Sequence, residues 1–393
     1  MKLKHYIFIT AVLVLVFYGF IFLFRVIIDK ISYVYDYHLI AERYLKKGKL
    51  DKALNVYKKR IASCEREIKF YKTYQERREP FETQLRNDCK TLGKLLVTNK
   101  RYNEALTYYL KMLHDLEAFK FIGEMKFQQG NLKESAEAFK IAVFQDFRNY
   151  DEIVRLYQGK IKKTDDPIYK IYLAIFYYNT YKVNYTKKYL NLSFNLLKEL
   201  VKERPKDSLI LRYLGLIYMI KGDEIKGIDY LSQAINSNLD DYVSYFCLER
   251  CDKEKVGFDP FEKFKIDKKP IIESFIDEKS LKNFKTFRSN VTRKYQFNVG
   301  DAYKRPLKGV IIAKSTKALG IGAIVSVQVG REKIFRYIDS DSFEPYEFEF
   351  SDIKGGKNEF SISLLNDSWI KSSIINEDRN LYIDNLYLIK GDM

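Results

Sequence analysis

The sequence predicts a multidomain chain with an N-terminal transmembrane helix, an all-α solenoid of helix pairs and a C-terminal all-β sandwich. An uncharged apolar run near the N-terminus predicts the first part. Small and aromatic residues that recur at helical spacing predict the second, and alternating strand patterns near the C-terminus predict the third. A chain of 393 residues is also long enough for more than one folding unit. The predicted parts are an anchor at 1–30, repeats at 31–255, a linker at 256–290 and a sandwich at 291–393.

The anchor is the longest stretch without charge, the nineteen residues from Tyr6 to Phe24. At about 1.5 Å rise per residue, a helix of this length nearly crosses a hydrocarbon layer of about 30 Å. Apolar residues continue beyond Arg25 as far as Ile28, and no small-residue cleavage site of a secretory signal interrupts them. Residues 6–28 are therefore expected to form an uncleaved, single-pass membrane anchor.

Net charge is the next guide to partners. The chain carries 69 Lys and Arg against 52 Asp and Glu, a formal charge of +17. A clustered charge of this size would indicate nucleic acid or an anionic surface. Residues 291–393 contain 15 basic and 14 acidic side chains, so about +16 lies before residue 291, spread thinly over helical faces. This distribution favours solvated helix surfaces and predicts no specific nucleic-acid partner.

The helical part has a repeated packing pattern. Ala41 and Tyr44 are followed by Gly48 at a turn and then by Ala53 and Tyr57 on the next helix. Small residues let two helix axes approach closely, and the aromatic residues fill the space opposite them. The same offsets recur in three further segments, with Leu92-Gly93, Leu96, Ala105, Tyr109 and Met112, with Ile122-Gly123, Gly130, Ser135, Phe139 and Ala142, and with Leu214-Gly215, Tyr218, Gly222, Gly227, Leu231 and Ala234.

This pattern resembles the tetratricopeptide repeat family over about residues 34–250. A degenerate copy begins at Leu173-Ala174-Tyr177 and has an altered turn around Val183–Tyr185. The repeats depart from the family by their irregular spacing and by an insertion through Arg66–Pro80. The resemblance implies a solenoid whose concave face takes an extended protein partner, or a polymer-handling assembly of the kind found in exopolysaccharide export.

Six strands are predicted in the last hundred residues, bounded by Gly, Pro, Asp and Asn. Six short strands in a segment of this length imply a β-sandwich. The predicted strands are Gly309–Ala313, Ala323–Val329, Ile334–Ile338, Tyr346–Phe350, Glu359–Leu365 and Leu381–Ile389.

Carboxylates cluster where these strands end. Asp367, Glu377 and Asp378 are predicted on loops at the same end of neighbouring strands, and calcium prefers oxygen ligands of this kind. Asn376 and Asn380, like Asn366, would add amide or carbonyl oxygens, and Arg379 would hold one carboxylate by a bidentate pair. The alternative is that these Asp and Asn residues only make turns and that Arg379 and Asp378 form a structural pair.

The C-terminal part resembles calcium-dependent xylan-binding carbohydrate modules, a jelly-roll-like family, over about residues 305–391. The segments that carry the resemblance are 311–330, 337–350, SLLND at 363–367 and NEDRNLYIDNLYL at 376–388. The resemblance implies a bound calcium that contacts sugar hydroxyls, with Asp367, Glu377, Asp378 and Asn380 as metal ligands and Asn376 beside the sugar. The single Trp369 either stacks on a sugar ring or is a half-buried loop residue.

The C-terminal module also indicates on which side of the membrane the body of the protein lies. Lys2 and Lys4 favour a cytoplasmic N-terminus, but Arg25, Lys30 and Arg43 follow the span, so the charge rule alone does not decide. Glycans and millimolar calcium are found outside the cytoplasm. We therefore expect the body of the protein to be extracytoplasmic.

Cysteines and catalytic motifs complete the prediction. Cys64 and Cys89 lie in consecutive helical segments and would be able to pair in an oxidising compartment, although buried thiols are the simpler expectation. Cys247 and Cys251 have too few His or Cys neighbours in the sequence for a zinc site. The sequence contains no GxSxG, HExxH, GxxxxGK or GxGxxG motif.

The sequence therefore predicts a non-enzymatic, membrane-anchored adaptor. Its C-terminal module would bind a polysaccharide with calcium as the cofactor, and its repeats would bind a protein partner, in assembly or export of cell-surface polysaccharide. The alternative is a purely protein-binding scaffold in which the sandwich has a structural role.

Overall fold

The computed structural model describes residues 37–112, 117–266, 271–274, 285–288, 291–299, 306–317, 322–330, 332–351, 353, 356–365, 369–371 and 376–390. The predicted anchor at 6–28 lies outside these residues. Within the described part of the chain, none of the helices combines the length and the apolar character that a membrane crossing requires.

Helices occupy the first two thirds of the described chain, as the sequence predicts. They are α1 (37–46), α2 (Leu50–Phe70), α3 (Gln75–Thr98), α4 (Tyr102–Leu110), α5 (Ala118–Gln128), α6 (Leu132–Gln145), α7 (Asn149–Thr164), α8 (Pro167–Asn184), α9 (Lys187–Glu203), α10 (Ser208–Ile220), α11 (Glu224–Ser237), α12 (Tyr242–Glu249), α13 (Lys253–Val256) and α14 (Pro260–Lys263).

Glycines and large side chains interlock the helix pairs at the predicted positions. A Cβ added to Gly93 would lie 2.3 Å from the Tyr109 ring of α4, and one added to Gly123 would lie 2.4 Å from the Phe139 ring of α6. At Gly215 the nearest atom would be Leu231 Cγ on α11, at 2.7 Å. These contacts confirm the repeat prediction from the structure itself, because no side chain larger than hydrogen fits where the helices cross.

The turns between paired helices also follow the prediction. Gly130 and Gly222 both have φ of +83°, a left-handed conformation that glycine adopts without steric cost. The altered turn of the degenerate repeat ends α8 at Tyr185, a non-glycine residue with φ of +55°. The predicted insertion through Arg66–Pro80 extends α2 and α3 by additional helical turns, with residues 71–74 between them.

The structure divides into two compact units, Met1–Phe121 and Ile122–Met393. The first unit contains α1 to α4, and its core includes a buried ion pair in which Arg60 Nε lies 2.8 Å from Asp88 Oδ2. The boundary falls within α5, and the second unit contains the rest of α5, the helices α6 to α14 and all the described strands.

Antiparallel strands follow the helices. They are β1 (Ile271–Ser274), β2 (Thr286–Phe287), β3 (Thr292–Val299), β4 (Leu307–Ser315), β5 (Ala323–Val329), β6 (Glu332–Ile338), β7 (Glu344–Phe350), β8 (Gly356–Leu364), β9 (Trp369–Lys371), β10 (Asn376–Asp378) and β11 (Leu381–Lys390). All six predicted strands are present, as β4 to β8 and β11. Strands β1 and β2 come from the interval 256–290, which the sequence predicts as a linker, and both pair with β11.

Two sheets form a sandwich. The first sheet has the order β1-β11-β4-β7, with β2 also on β11, and the second has the order β3-β8-β5-β6. One apolar cluster joins their facing sides, with Ile311 and Phe348 from the first sheet and Val327 and Ile362 from the second. Alternate residues of β4 point away from this cluster, as the two-residue period of a strand requires.

The outer face of the first sheet packs against helices. Val310 and Ile312 of β4 belong to one apolar cluster with Ile228 and Leu231 of α11 and Tyr245 of α12. The first sheet is therefore covered on both sides, by the second sheet and by the helices. This arrangement positions the charged residues of β6 and β7 against α6, α10 and α12.

Candidate binding cavity between helices and sandwich

A cavity of about 450 Å³ lies within the second unit, between the helices and the sandwich. We call it the seam cavity. Its helical wall comes from α6, α8, α10 and α12, and its sheet wall comes from β4, β6 and β7. The side chains that matter for its chemistry are Lys133, Glu137, Lys140, Tyr172, Tyr178, Lys182, Arg212, Tyr213, Asp240, Lys308, Arg336, Asp339, Glu344, Tyr346, Glu347 and Glu349.

Arg212 connects α10 to α12 and to β7. Its guanidinium lies 2.6 Å from Asp241 and donates to both carboxylate oxygens of Glu347, at 3.0 and 3.2 Å. Asp241 also accepts from Ser244 N at 3.0 Å and so caps α12. Burial works to raise the pKa of Glu347, but Arg212 and Lys133 outweigh it and hold that pKa at about 2. The Glu347 carboxylate is therefore ionised at physiological pH.

Arg336 of β6 forms the most deeply buried ion pair in the seam. Its two terminal nitrogens donate to the two oxygens of Glu134 on α6, each at 2.9 Å, and both residues are less than 10% exposed. Burial disfavours the charged guanidinium, yet Glu134 raises the pKa of Arg336 above its ordinary value. A bidentate pair of this kind sets the angle between strand and helix.

Two lysines complete the attachment of the sandwich. Lys140 Nζ on α6 lies 3.3 Å from Asp339, and Lys308 Nζ on β4 donates to Asp240 at 2.9 Å. Burial alone would lower the pKa of Lys140, but the nearby Asp339 raises it. The seam is thus held by four groups of ion pairs, and breaking one side of a buried pair leaves an uncompensated charge.

Tyrosines form much of the remaining wall. Burial raises the pKa of Tyr172 to about 12 and raises those of Tyr178 and Tyr213 further. The rings of Tyr178 and Tyr213 meet edge to face, with centroids 5.1 Å apart. Their hydroxyl groups and that of Tyr172 make no hydrogen bond to the residues that the structure describes. These neutral phenols are available to a ligand.

The charges that line the cavity balance. Six basic and six acidic side chains line it, so the lining has no formal net charge, whereas the whole chain has +17. Glu137, Glu344 and Glu349 form no ion pair within 4 Å of described residues, and Lys182 forms none either. These four side chains act on their neighbours only over longer distances, Glu137 on Lys140 and Lys182 on Asp339.

The structure places the predicted sugar and calcium residues on a separate hairpin of the sandwich. β9 and β10 pair so that Trp369 is opposite Asp378 and Lys371 is opposite Asn376, with Glu377 between them in β10. Their backbone is described but their side chains are not, and Asp367 lies outside the described residues. The sequence predicts Glu377 and Asp378 on a loop, but they belong to the short strand β10, whose backbone pairs with β9.

Asn380 is the one predicted calcium ligand whose side chain is described. It is 8% exposed, its N–H donates to Thr316 Oγ1 at 2.8 Å, and its carbonyl accepts from Thr316 N at 3.0 Å. Among the side chains that the structure describes, no group of three His, Cys, Asp or Glu is close enough together to hold a metal ion. The described residues therefore neither test nor assemble the calcium site.

The cysteines are free thiols. Cys64 and Cys89 are both buried, and burial raises their pKa values to about 11 and about 12. Cys247 lines the seam cavity, and burial raises its pKa to about 12 as well. A thiol with so high a pKa is a poor nucleophile at neutral pH.

The sequence alone did not predict the seam cavity. One signal was present in α10, where Arg212 is the only charged residue of SLILRYLGLIYMI. A lone arginine in an apolar helix needs a carboxylate partner, but nothing in the sequence locates Glu347 as that partner.

No family model and no curated protein matches the chain. Three solved structures of helical-repeat proteins illustrate its similarities. They are the 41-end chain of MamA from Desulfovibrio magneticus RS-1 (14% identity, TM-score 0.23, covering 53% of this chain and 97% of that chain), the TPR2AB-domain:pHSP90 complex of yeast Sti1 (14%, 0.23, 55% and 81%), and a tetratricopeptide repeat protein from Parabacteroides merdae (14%, 0.24, 64% and 97%). Similarity at this level does not support a functional statement, so the repeat fold rests on the helix contacts above.

Proposed function

We propose that this protein is a non-enzymatic scaffold that binds an extended segment of a partner protein in the seam cavity. The observation that supports the proposal is the way the sandwich attaches to the helices. Buried ion pairs hold β6 and β7 on α6, α10 and α12, and the space left between them has unbonded phenols and carboxylates. Polar groups fixed around a preformed cavity favour binding with little loss of conformational entropy.

The chemistry of the cavity favours binding over catalysis. The thiol of Cys247 is held in its protonated form by its raised pKa. The buried basic groups Lys140, Arg212 and Arg336 already have carboxylate partners at 3.3 Å or less. Groups held in ion pairs fix the walls of the cavity, and this is the role that their geometry supports.

The membrane anchor remains part of the proposal. Residues 6–28 would hold the scaffold at a membrane with its body on the extracytoplasmic side, as the sequence predicts.

Polysaccharide binding by the sandwich is a second candidate. The β9–β10 register supports it, because this pairing puts Trp369 opposite Asp378 and so brings a predicted sugar-stacking residue to a predicted calcium ligand. Calcium titration of the full chain by calorimetry tests this candidate. We expect a measurable heat of calcium binding for the parent and for Asp384→Asn, an exposed control on β11. We expect no such heat for Asp378→Ala. Equal heat from Asp378→Ala and the parent would exclude the site.

The scaffold proposal is tested by photo-crosslinking in cells. A photoreactive phenylalanine analogue at Tyr213 keeps an aromatic side chain in the cavity wall, and the same analogue at Tyr74, which is 63% exposed on the first unit, is the control. We expect position 213 to crosslink one partner polypeptide that position 74 does not. Identical crosslinks at both positions, or crosslinks from position 213 only within the chain itself, would exclude a partner segment in the cavity.

A further inference from the structure

We infer that the seam cavity selects a cationic group, a primary ammonium or a guanidinium. In the proposed function, on which this inference rests, that group is the lysine or arginine side chain of the bound segment. A free polyamine has the same chemistry and is distinguished by the experiment below.

The lining of the cavity is less basic than the rest of the chain. Six basic and six acidic side chains line it, so its formal net charge is zero, whereas the whole chain has +17. In a partly enclosed cavity, charges are screened less than on an open surface. The carboxylates of the lining therefore attract a cation that the strongly basic protein as a whole repels.

Three carboxylates of the lining make no direct ion pair. Glu137 on α6 and Glu344 and Glu349 on β7 have no basic group within 4 Å among the described residues, and they lie on opposite walls of the cavity. Of the six lining bases, only Lys182 makes no direct ion pair with a described residue, and it acts on Asp339 over a longer distance. A cation between the walls would gain charge-assisted hydrogen bonds from both sides. An anion would have to compete with Glu347 or Asp241 for Arg212.

Part of the cavity wall is aromatic. Tyr172, Tyr178 and Tyr213 face the same cavity, and an aromatic ring attracts a cation within about 6 Å of its centre. The protein uses this interaction in the same seam, where Lys140 Nζ lies 5.6 Å from the centre of the Tyr337 ring. Tyrosine rings beside unpaired carboxylates make the surroundings that ammonium and guanidinium groups prefer.

Calorimetry on the full chain tests the inference with small probes. The probes are the blocked tripeptide Gly-Lys-Gly, the same peptide with norleucine or glutamate at the centre, and putrescine as a free amine. We expect the lysine peptide to bind roughly tenfold more tightly than the norleucine peptide, the factor that one charge-assisted hydrogen bond supplies. Putrescine binding more tightly than the lysine peptide would identify a free amine as the ligand.

Matched variants locate the effect. Glu137→Gln and Glu344→Gln keep the shape of the side chain and should each weaken lysine-peptide binding roughly tenfold. Glu199→Gln, an exposed residue of α9, is the control and should change nothing. The inference is overturned if norleucine or glutamate binds as well as lysine, if no amine binds up to its solubility limit, or if the Gln variants bind like the parent. If a partner crosslinks at position 213 but no amine binds, the selection of a cation is refuted and the scaffold proposal stands. Amine binding without a crosslinked partner would refute the scaffold proposal.

Discussion

A methyl group at Gly123 tests the interlocking of α5 and α6 most directly. In Gly123→Ala, the new Cβ would lie 2.4 Å from both Cδ1 and Cε1 of Phe139, against about 3.5–4.0 Å for an optimal carbon contact. Phe139 is fully buried and meets the rings of Tyr157 and Phe176 at 6.1 and 6.3 Å, so it has no free space to move into. Overpacking costs about 1–3 kcal/mol, and the better helix propensity of alanine returns about 1 kcal/mol. We expect a net loss of up to about 2 kcal/mol in the free energy of unfolding.

Gly159→Ala is the matched control. Gly159 lies inside α7, and a Cβ added there would have no atom within 4 Å, so alanine should stabilise the protein by up to about 1 kcal/mol. Urea denaturation followed by circular dichroism at 222 nm measures both variants. The double variant Gly123→Ala/Phe139→Leu should lose less than the sum of its single changes, because the smaller side chain makes room for the methyl group. The reasoning is refuted if Gly123→Ala is as stable as Gly159→Ala.

Three further predictions concern buried polar groups. Burial outweighs Arg60 and raises the pKa of Asp88 from 3.8 to about 6, so the folded state binds this proton more tightly than the unfolded state does. This contribution to the free energy of unfolding is complete below about pH 4 and is lost as the pH rises through about 6. The loss amounts to up to about 3 kcal/mol. Over that pH interval, Asp88→Asn should gain stability relative to the parent. Arg336→Met leaves Glu134 buried and unpaired and should cost about 3–5 kcal/mol in a thermal unfolding experiment, whereas Arg336→Met/Glu134→Leu should recover most of the loss. Cys89, whose pKa is raised to about 12, should react with a thiol reagent at pH 8 only after denaturation.

Each of these predictions has a contrary result. A stability difference between the parent and Asp88→Asn that is constant with pH, or that shrinks as the pH rises, would mean that the attraction of Arg60 dominates burial. A double variant no more stable than Arg336→Met would show that shape at this position, and not the stranded charge, decides the cost. Rapid labelling of Cys89 in the native protein would show that α3 opens readily in solution.

The helix pairs are the part of the fold that the sequence predicted in detail. Gly93 and Tyr109, like Gly123 and Phe139, are sixteen residues apart and belong to one helical hairpin. Their contact depends only on helical periodicity and a short turn, both of which are local. The six predicted strands were found because runs of apolar and β-branched residues bounded by turn residues are also local signals. Strands β1 and β2 were missed because their pairing with β11 spans about a hundred residues of chain, and their own sequences are too short to show a period. The sequence analysis also did not predict β3, which pairs with β8.

The sequence did not predict the candidate site in the same detail. Asp367, Glu377 and Asp378 were singled out as carboxylates at predicted strand ends, and a family resemblance made them candidate calcium ligands beside Trp369. Of these four residues the structure describes only the backbone pairing of Trp369, Glu377 and Asp378. The seam cavity depends on Arg336 and Glu134, which are 202 residues apart, and on Arg212 and Glu347, which are 135 apart. No periodic pattern encodes such pairs.

The sequence by itself thus determined the helical repeats, the positions at which their helices interlock and six of the strands, because these follow from local residue patterns. Only the tertiary structure decided that the first sheet packs its outer face on the helices, through Val310 and Ile312, and that Arg212 and Arg336 find their carboxylates across that junction. The physical reason is that burial of a charge requires a partner at a particular distance and angle, and folding of the whole unit sets that geometry.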